Sequence, residues 1–364
     1  MADLRPLPAL RPNPDAAVQI CELPYDVMSS EEAREMAAGN PISFLHVSKP
    51  EIDLPAGTDV YDPAVYAKGR ENFDRLIEQG ALRQDAKACY YLYRLIMDGR
   101  AQTGLVAAAS CKDYDESVIK KHELTRPAKE DDRVRHMEAL DSQTGPVFLT
   151  YQAQPAFDEF VAKVCEREPA VDFVAPDGVQ HTAWTVDNDE EIEFVRSTFA
   201  ATPALYVADG HHRSAAASRV NKTRGGAGAS DAFLTVTFPH DQMRILAYNR
   251  ALKDLNGLDA AQLLKKLEEI FEVETPGSSD PQAKNELGLY LQGRWHSLRF
   301  RPAVAATEDP IDGLDVALLQ NHVLKPLFGI GDPRTSERIA FVGGIRGVGE
   351  LERLVDGGDF ACAF

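Results

Sequence analysis

The chain of 364 residues has no uninterrupted apolar run near the length of about 18 residues that marks a membrane helix. Its first residues, Met1 to Pro6, carry no apolar stretch of the signal-peptide kind. Cysteine is scarce: five, at 21, 89, 111, 165 and 362, odd in number and with no CxxC pair. That pattern excludes a disulfide frame and a zinc ribbon and predicts reduced thiols in a cytoplasmic protein. Positive charge is also in deficit. The formal net charge of −18 argues against a nucleic-acid partner, which calls for a basic face, and no helix-turn-helix signal is present. Missing too are a Walker A loop, a GxGxxG turn after the first strand and a GxSxG elbow. His122-Glu123 is not followed by a second histidine at the zincin spacing, and Asp187-Asn188-Asp189 lacks the glycine and distal glutamate of a calcium loop.

Against these absences stands a core-sized hydrophobic content of 44%. Strand and helix signals alternate along the chain, which predicts a mixed α/β (α+β) protein of more than one domain. Ser29-x-x-Glu32 reads as a capping box opening a helix to about Ala38, and Gly39-Asn40-Pro41 ends it. Ile42 to Val47 reads as a strand. Asp62-Pro63 opens a helix that closes before Gly80. Cys89–Met97, Asp98-Gly99 and Thr103–Ala109 read as a hairpin with a type I′ turn. Further on, strands are predicted at Val147–Tyr151, Thr182–Val186, Phe233–Phe238, Arg244–Tyr248 and Arg338–Val342. Helices are predicted at Pro155–Arg167, Asp187–Phe199, Ala260–Phe271, Leu314–Phe328 and Val348–Val355. Asn221 to Ser230, rich in Gly and Ala, reads as a disordered loop or a lid over a site. The chain stops at the apolar Phe360–Phe364, which predicts a truncated C-terminus.

The most informative stretch is Ala204 to Ser214. An apolar strand ends in Asp209-Gly210-His211-His212-Arg213 and passes into a low-bulk helix. Such a turn aims unpaired helix N–H groups and the positive end of the dipole at one point, a setting for a phosphate. Between Gly210 and Ser230 four basic residues occur and no acid. The ordinary alternative is a capped turn with exposed histidines. A second cluster runs from Lys120 to Arg133: Glu123 beside His122 could act as a base, and Lys129 and Arg133, four apart, could share a helix face toward phosphate oxygens. A solvated charged helix face explains that run equally well. Asp26 and Tyr25 are candidates for substrate contact. His46 and His322, in apolar surroundings, read as core histidines.

Taken in order, Leu23-Pro24-Tyr25-Asp26-Val27, Asn40-Pro41-x-Ser43-Phe44-Leu45-His46-Val47, His122-Glu123-x-Thr125, Lys129-Glu130-Asp131-Asp132-Arg133, Ala208-Asp209-Gly210-His211-His212-Arg213 and Tyr248-Asn249-Arg250 resemble the bacterial family called domain of unknown function 1015. The resemblance covers nearly the whole chain; members of that family usually run on into a Pro/Lys-rich segment that this chain ends before. The central motif in turn resembles the ParB/sulfiredoxin-like fold and, within it, free-serine kinases with an Asp-Gly-His-x-Arg turn and an upstream glutamate base. This implies an N-terminal region over 1–110, a nucleotide-binding core over 111–250 and a C-terminal region over 251–364. It implies a Mg²⁺-dependent phosphotransferase moving a phosphoryl group between ATP or ADP and the hydroxyl of a small metabolite, with free L-serine the acceptor that the resemblance points to. Asp209, His211, His212 and Glu123 are then the catalytic set, with Asp209 on the metal. Gly210, Arg213, His122, Lys129 and Arg133 hold the nucleotide, and Asp26 and Tyr25 meet the substrate. The alternatives are a phosphatase on phosphoserine or a similar metabolite, a ParB-like nucleotide switch, and a non-catalytic nucleotide-binding scaffold.

Overall fold

A computed structural model describes residues 2–123, 125–333 and 335–364; Leu124, inside the His122 motif, lies outside them. The fold is mixed α/β, in two compact units, Met1–Met243 and Arg244–Phe364. No helix among the described residues is long and apolar enough to cross a membrane.

The first unit is built on a nine-stranded mixed sheet. Its strands are β1 (Leu4–Arg5), β2 (Tyr90–Met97), β3 (Arg100–Ser110), β4 (Ile119–Lys120), β5 (Val147–Tyr151), β6 (Val171–Val174), β7 (Gln180–Val186), β8 (Leu205–Asp209) and β9 (Ala232–Pro239). They lie in the order β4-β8-β5-β9-β3-β2-β7-β6, with β1 beside β3. The β2–β3 hairpin turns on Asp98 (φ 52°) and Gly99 (φ 74°), the left-handed pair that a type I′ turn requires. β8 pairs parallel with β4 and antiparallel with β5, which puts the Asp209 end of β8 beside Phe148. The helices used below are α1 (Ser30–Ala37), α2 (Pro63–Glu78), α3 (Pro127–Leu140), α4 (Pro155–Cys165), α5 (Asp189–Ala201) and α6 (His211–Thr223). Phe157 and Val164 of α4 and Val195 and Phe199 of α5 bury completely in one core with Tyr90, Leu92, Leu149 and Leu205 of the sheet. The α6 face that meets this unit is made of small residues, Ser214, Ala216, Ala217 and Ser218, all buried. Without bulk on that face the helix backbone approaches its neighbours closely.

Local chemistry sets most element ends. Ser29 caps α1 through the reciprocal bonds of a full capping box with Glu32. Asp62 accepts the Ala64 N–H at the start of α2, where Pro63 occupies the first helical position. The second unit is an antiparallel six-stranded sheet in the order Phe271–Glu274, Arg294–Phe300, Glu286–Leu291, Cys362–Ala363, Tyr248–Leu252, Ile339–Gly343, over its own core of Leu263, Leu267, Leu289, Leu298 and Phe328.

Several expectations are corrected. The strand expected over Ile42–Val47 is a helical turn, Leu45–Ser48. Side chains from two helices capture its carbonyls: Asn72 of α2 donates to His46 O (2.7 Å) and the His136 ring of α3 meets Val47 O at 2.9 Å. The strand expected from Arg244 starts at Tyr248, where pairing with Gly343 begins. The helix expected to reach Phe271 ends at Leu267, because Phe271 pairs with Phe300 in the sheet. The helix expected over Leu314–Phe328 is α-helical only over Asp315–Leu319 and continues as a π-turn over Gln320–Leu324. The region boundary expected after residue 110 falls inside the nine-stranded sheet, which takes β1, β2 and β3 from one side of it and β4 to β9 from the other. The boundary expected after residue 250 falls inside the strand Tyr248–Leu252.

Candidate functional site

At the end of β8, Gly210 adopts φ 92°, a left-handed conformation open to glycine, and stands at the N-cap of α6. A Cβ there would meet the Arg213 guanidinium at 3.1 Å, so a side chain would strain the backbone and crowd Arg213. Gly210 offers no capping side chain. The first intrahelical bond to α6 comes from Ser214 N–H to Gly210 O, leaving the N–H groups of His211, His212 and Arg213 without partners inside the helix. The unpaired helix-start N–H groups expected from the sequence are present.

Arg213 holds the turn rather than reaching out of it. Its side chain is only 11% exposed, and the guanidinium donates to the Pro146 carbonyl and to Asp209 Oδ2. Its methylenes run past Gly145, where a Cβ would meet Cδ at 3.2 Å. Asp209 itself is exposed. The expectation that Arg213 grips phosphate therefore meets a guanidinium already engaged with two protein oxygens. In the sequence, Gly145-Pro146 reads simply as the break between the charged segment and the strand Val147–Tyr151. The signal that could have shown more is its composition: a glycine beside a residue that contributes a carbonyl and no N–H.

The loop before α3 brings the upstream cluster to this turn. His211 is buried, with Nδ1 3.6 Å from Glu123 Oε2, and the His122 and His211 rings meet edge to face at 4.4 Å between centroids. Burial and the neighbouring His122 push His211 below the ordinary histidine pKa, while Glu123 and Asp209 oppose the shift. His211 is thus neutral at pH 7, and its Nε2 is buried without a hydrogen-bond partner. His212 accepts the backbone N–H of Arg126 on Nε2 at 3.1 Å. It too is pushed down, chiefly by burial, with Glu123 and Asp26 opposing and Lys129 and Arg126 assisting. Glu123 is well exposed, the condition for meeting a substrate hydroxyl.

The N-terminal candidates arrive from a separate part of the chain. Tyr25 lies under Arg133, whose Cζ is 4.0 Å from the ring centroid. Burial raises the Tyr25 pKa, and both Arg133 and Arg213 act against that rise. Arg133 is fixed by two bonds to Asp132 Oδ2 (2.9 and 2.6 Å), and Asp132 takes the Tyr66 hydroxyl at 2.9 Å. Arg133 is therefore a half-buried, paired cation, whereas Lys129, one turn earlier, is exposed. The shared phosphate-facing role expected of the two is divided in this structure. His46 behaves as a structural residue, between Asp53 (2.9 Å) and Asn40 O (3.1 Å).

Among the described residues no three His, Cys, Asp or Glu side chains converge as a metal cage. A magnesium ion held by one or two carboxylates and by phosphate oxygens requires none, and the exposed Asp209 carboxylate is a donor of that kind. Cavities of about 510 Å³ (around Arg5, Lys112 and Asn221) and about 380 Å³ (around Arg34, Asn40 and His46) are lined by none of the residues gathered at the turn.

No curated protein and no solved structure matches the chain. One family does, and it spans both the glycine turn and the loop that meets it: over residues 4–317 the chain belongs to the family described as "Protein of unknown function (DUF1015)".

Proposed function

We propose that the start of α6 is a phosphoryl-transfer site, acting between a nucleotide and the hydroxyl of a small metabolite, with free L-serine the first acceptor to test. The observation that carries this reading is the pairing of an uncapped helix start at Gly210 with an exposed carboxylate, Glu123, held beside its first residue. Phosphoryl transfer spreads charge over three equatorial oxygens, so catalysis is mainly positioning and electrostatics. The N–H groups of His211, His212 and Arg213 face that charge. Lys129 adds an exposed cation within electrostatic reach of His212.

In the reaction the acceptor oxygen forms a bond to the terminal phosphorus as the bond to the leaving nucleotide oxygen breaks. Glu123 takes the hydroxyl proton. His211, neutral and buried, borders Glu123 without forming the ion pair by which an imidazolium would weaken that carboxylate as a base. Arg213 keeps Asp209 and Gly210 in place, and Asp209 would hold the magnesium ion. That ion, when bound, neutralises charge on the phosphate oxygens. Tyr25 and Asp26 border the acceptor side, since Asp26 lies within electrostatic reach of His212. A ParB/sulfiredoxin-like ancestry of the strand–turn–helix unit belongs to the same proposal. So does a cytoplasmic setting, which five cysteines free of disulfides support.

The test is a thermal-shift panel of nucleotides and amino acids, with and without Mg²⁺, followed by an assay for phosphoserine. Binding to the native state alone raises the melting temperature by mass action. A nucleotide that stabilises the protein and yields phosphoserine supports the reading. The absence of both with every donor overturns it.

A further inference from the structure

We propose that His212 is a positioning residue, a latch whose uncharged imidazole ties the loop carrying His122 and Glu123 to the start of α6. The proposal rests on the phosphoryl-transfer reading only for what the loop is used for; the latch itself is one hydrogen bond.

Residues 121–126 join β4 to α3; besides the contacts of His122 and Glu123 with His211, three contacts hold the described part of that segment. At one end Lys121 donates to Tyr114 O (3.0 Å) and stacks over the Tyr114 ring at 4.0 Å. At the other, the Thr125 hydroxyl donates to Glu130 Oε2 at 2.6 Å. The third contact differs in kind. Arg126 is the N-cap of α3, no side chain caps that helix, and Pro127 follows at its first position. The Arg126 N–H finds its acceptor on another helix, at His212 Nε2.

An imidazole nitrogen accepts a hydrogen bond only through its lone pair, so this contact assigns the proton of the neutral ring to Nδ1. Protonation of Nε2 would set two N–H groups against each other and break the tie. The groups facing the ring come from three places. Glu123 on the loop and Asp26 in the N-terminal segment favour the charged form. Lys129 and Arg126 at the start of α3 oppose it, as does burial, which is the largest influence. His211, next to it on α6, is neutral at pH 7. At neutral pH the latch is closed, and acid opens it.

The geometry also explains why two histidines stand in succession. Adjacent positions on a helix point about 100° apart. One ring, His211, turns inward against His122 and Glu123, and the other meets the loop's far end at Arg126. The two together grip both ends of the segment that bears Glu123.

Residue-resolved hydrogen exchange on the full chain tests this, at pH 7.5 and pH 5, corrected for the intrinsic rate. In the wild type the Arg126 amide should be protected at pH 7.5 and exchange about tenfold or more faster at pH 5 once its acceptor is lost. In His212→Gln the amide oxygen replaces Nε2 as acceptor and does not titrate, so protection should persist at both pH values. In His212→Ala it should be absent at both, with the Ala216 and Ala217 amides still protected as proof of folding. Equal protection in the wild type at the two pH values, or wild-type protection in a folded His212→Ala, overturns the latch. Should His212→Ala not fold, the wild-type series and His212→Gln decide alone. The outcome is separable from that of the proposed activity. Exchange that follows the pattern while no phosphoryl donor works keeps the latch and discards the reaction. Phosphoserine formation with pH-independent exchange does the reverse.

Discussion

Replacing Arg213 by alanine separates a residue that binds ligand from one that builds the site. In the absence of ligand the side chain is nearly buried and makes two polar contacts. Truncation leaves the Pro146 carbonyl without its charged donor, a loss of about 1.5–3 kcal/mol for a hydrogen bond to a charged group. The bond to Asp209 contributes less, because that carboxylate is 64% exposed and water screens the pair; about 0–1 kcal/mol is the range for such a contact. Together these place the cost at about 1.5–4 kcal/mol, carried by the unit Met1–Met243. For a unit of this size each kcal/mol lowers the melting temperature by about 2–4 °C, so a fall of roughly 3–16 °C is expected without any ligand. Arg213→Lys should recover little of it, since an ammonium cannot span both acceptors as the planar fork does. Calorimetry on the ligand-free protein supplies the measurement, with nucleotide affinity recorded in parallel. An alanine variant as stable as the wild type but with weakened nucleotide binding would refute the reasoning and return Arg213 to the role of phosphate ligand.

Three further outcomes are expected. Glu123→Gln keeps the side-chain shape but cannot take a proton, so turnover should fall by about 10²–10⁴-fold with nucleotide affinity little changed; full activity in this variant rules Glu123 out as the base. Ala217→Leu places a large side chain at a position that is 1% exposed and should cost about 1–3 kcal/mol by overpacking, read as a lower urea midpoint; an unmoved midpoint would show that α6 has room beneath it. His136, held by burial and by Arg133 at a pKa of about 4 against an ordinary 6.5, is neutral in the native state. Its contribution is complete above pH 6.5 and is lost as pH falls toward 4, where the unfolded chain binds a proton that the native one excludes, for a total of roughly 3 kcal/mol. His136→Gln, whose amide can still donate to Val47 O, should flatten that acid limb in pH-dependent urea titrations, and an unchanged slope would contradict the assignment.

Local signals carried much of this protein. The capping box at Ser29, the Asp98-Gly99 turn, the Asp62-Pro63 helix start and the glycine turn after Asp209 are each decided within a few residues, by hydrogen bonds or by a backbone conformation that few residues accept. Those were legible without a structure, as was the alignment of unpaired N–H groups at the start of α6, because helix geometry alone dictates it. Other features depend on partners distant in the chain. The segment around His46 is helical because Asn72 and His136 take its carbonyls, which no local pattern records. Glu123 and His211 are 88 positions apart in sequence, and the parallel pairing of β4 with β8 is what brings their loops together. Arg213 and Arg133 look alike in sequence, as basic residues expected to meet phosphate oxygens. Only the packed structure surrounds the first with Pro146, Asp209 and two glycines and the second with Asp132 and Tyr25. A side chain's chemical capacity is set by its type, but whether that capacity is spent inside the protein or left for a ligand depends on which groups the tertiary fold places against it.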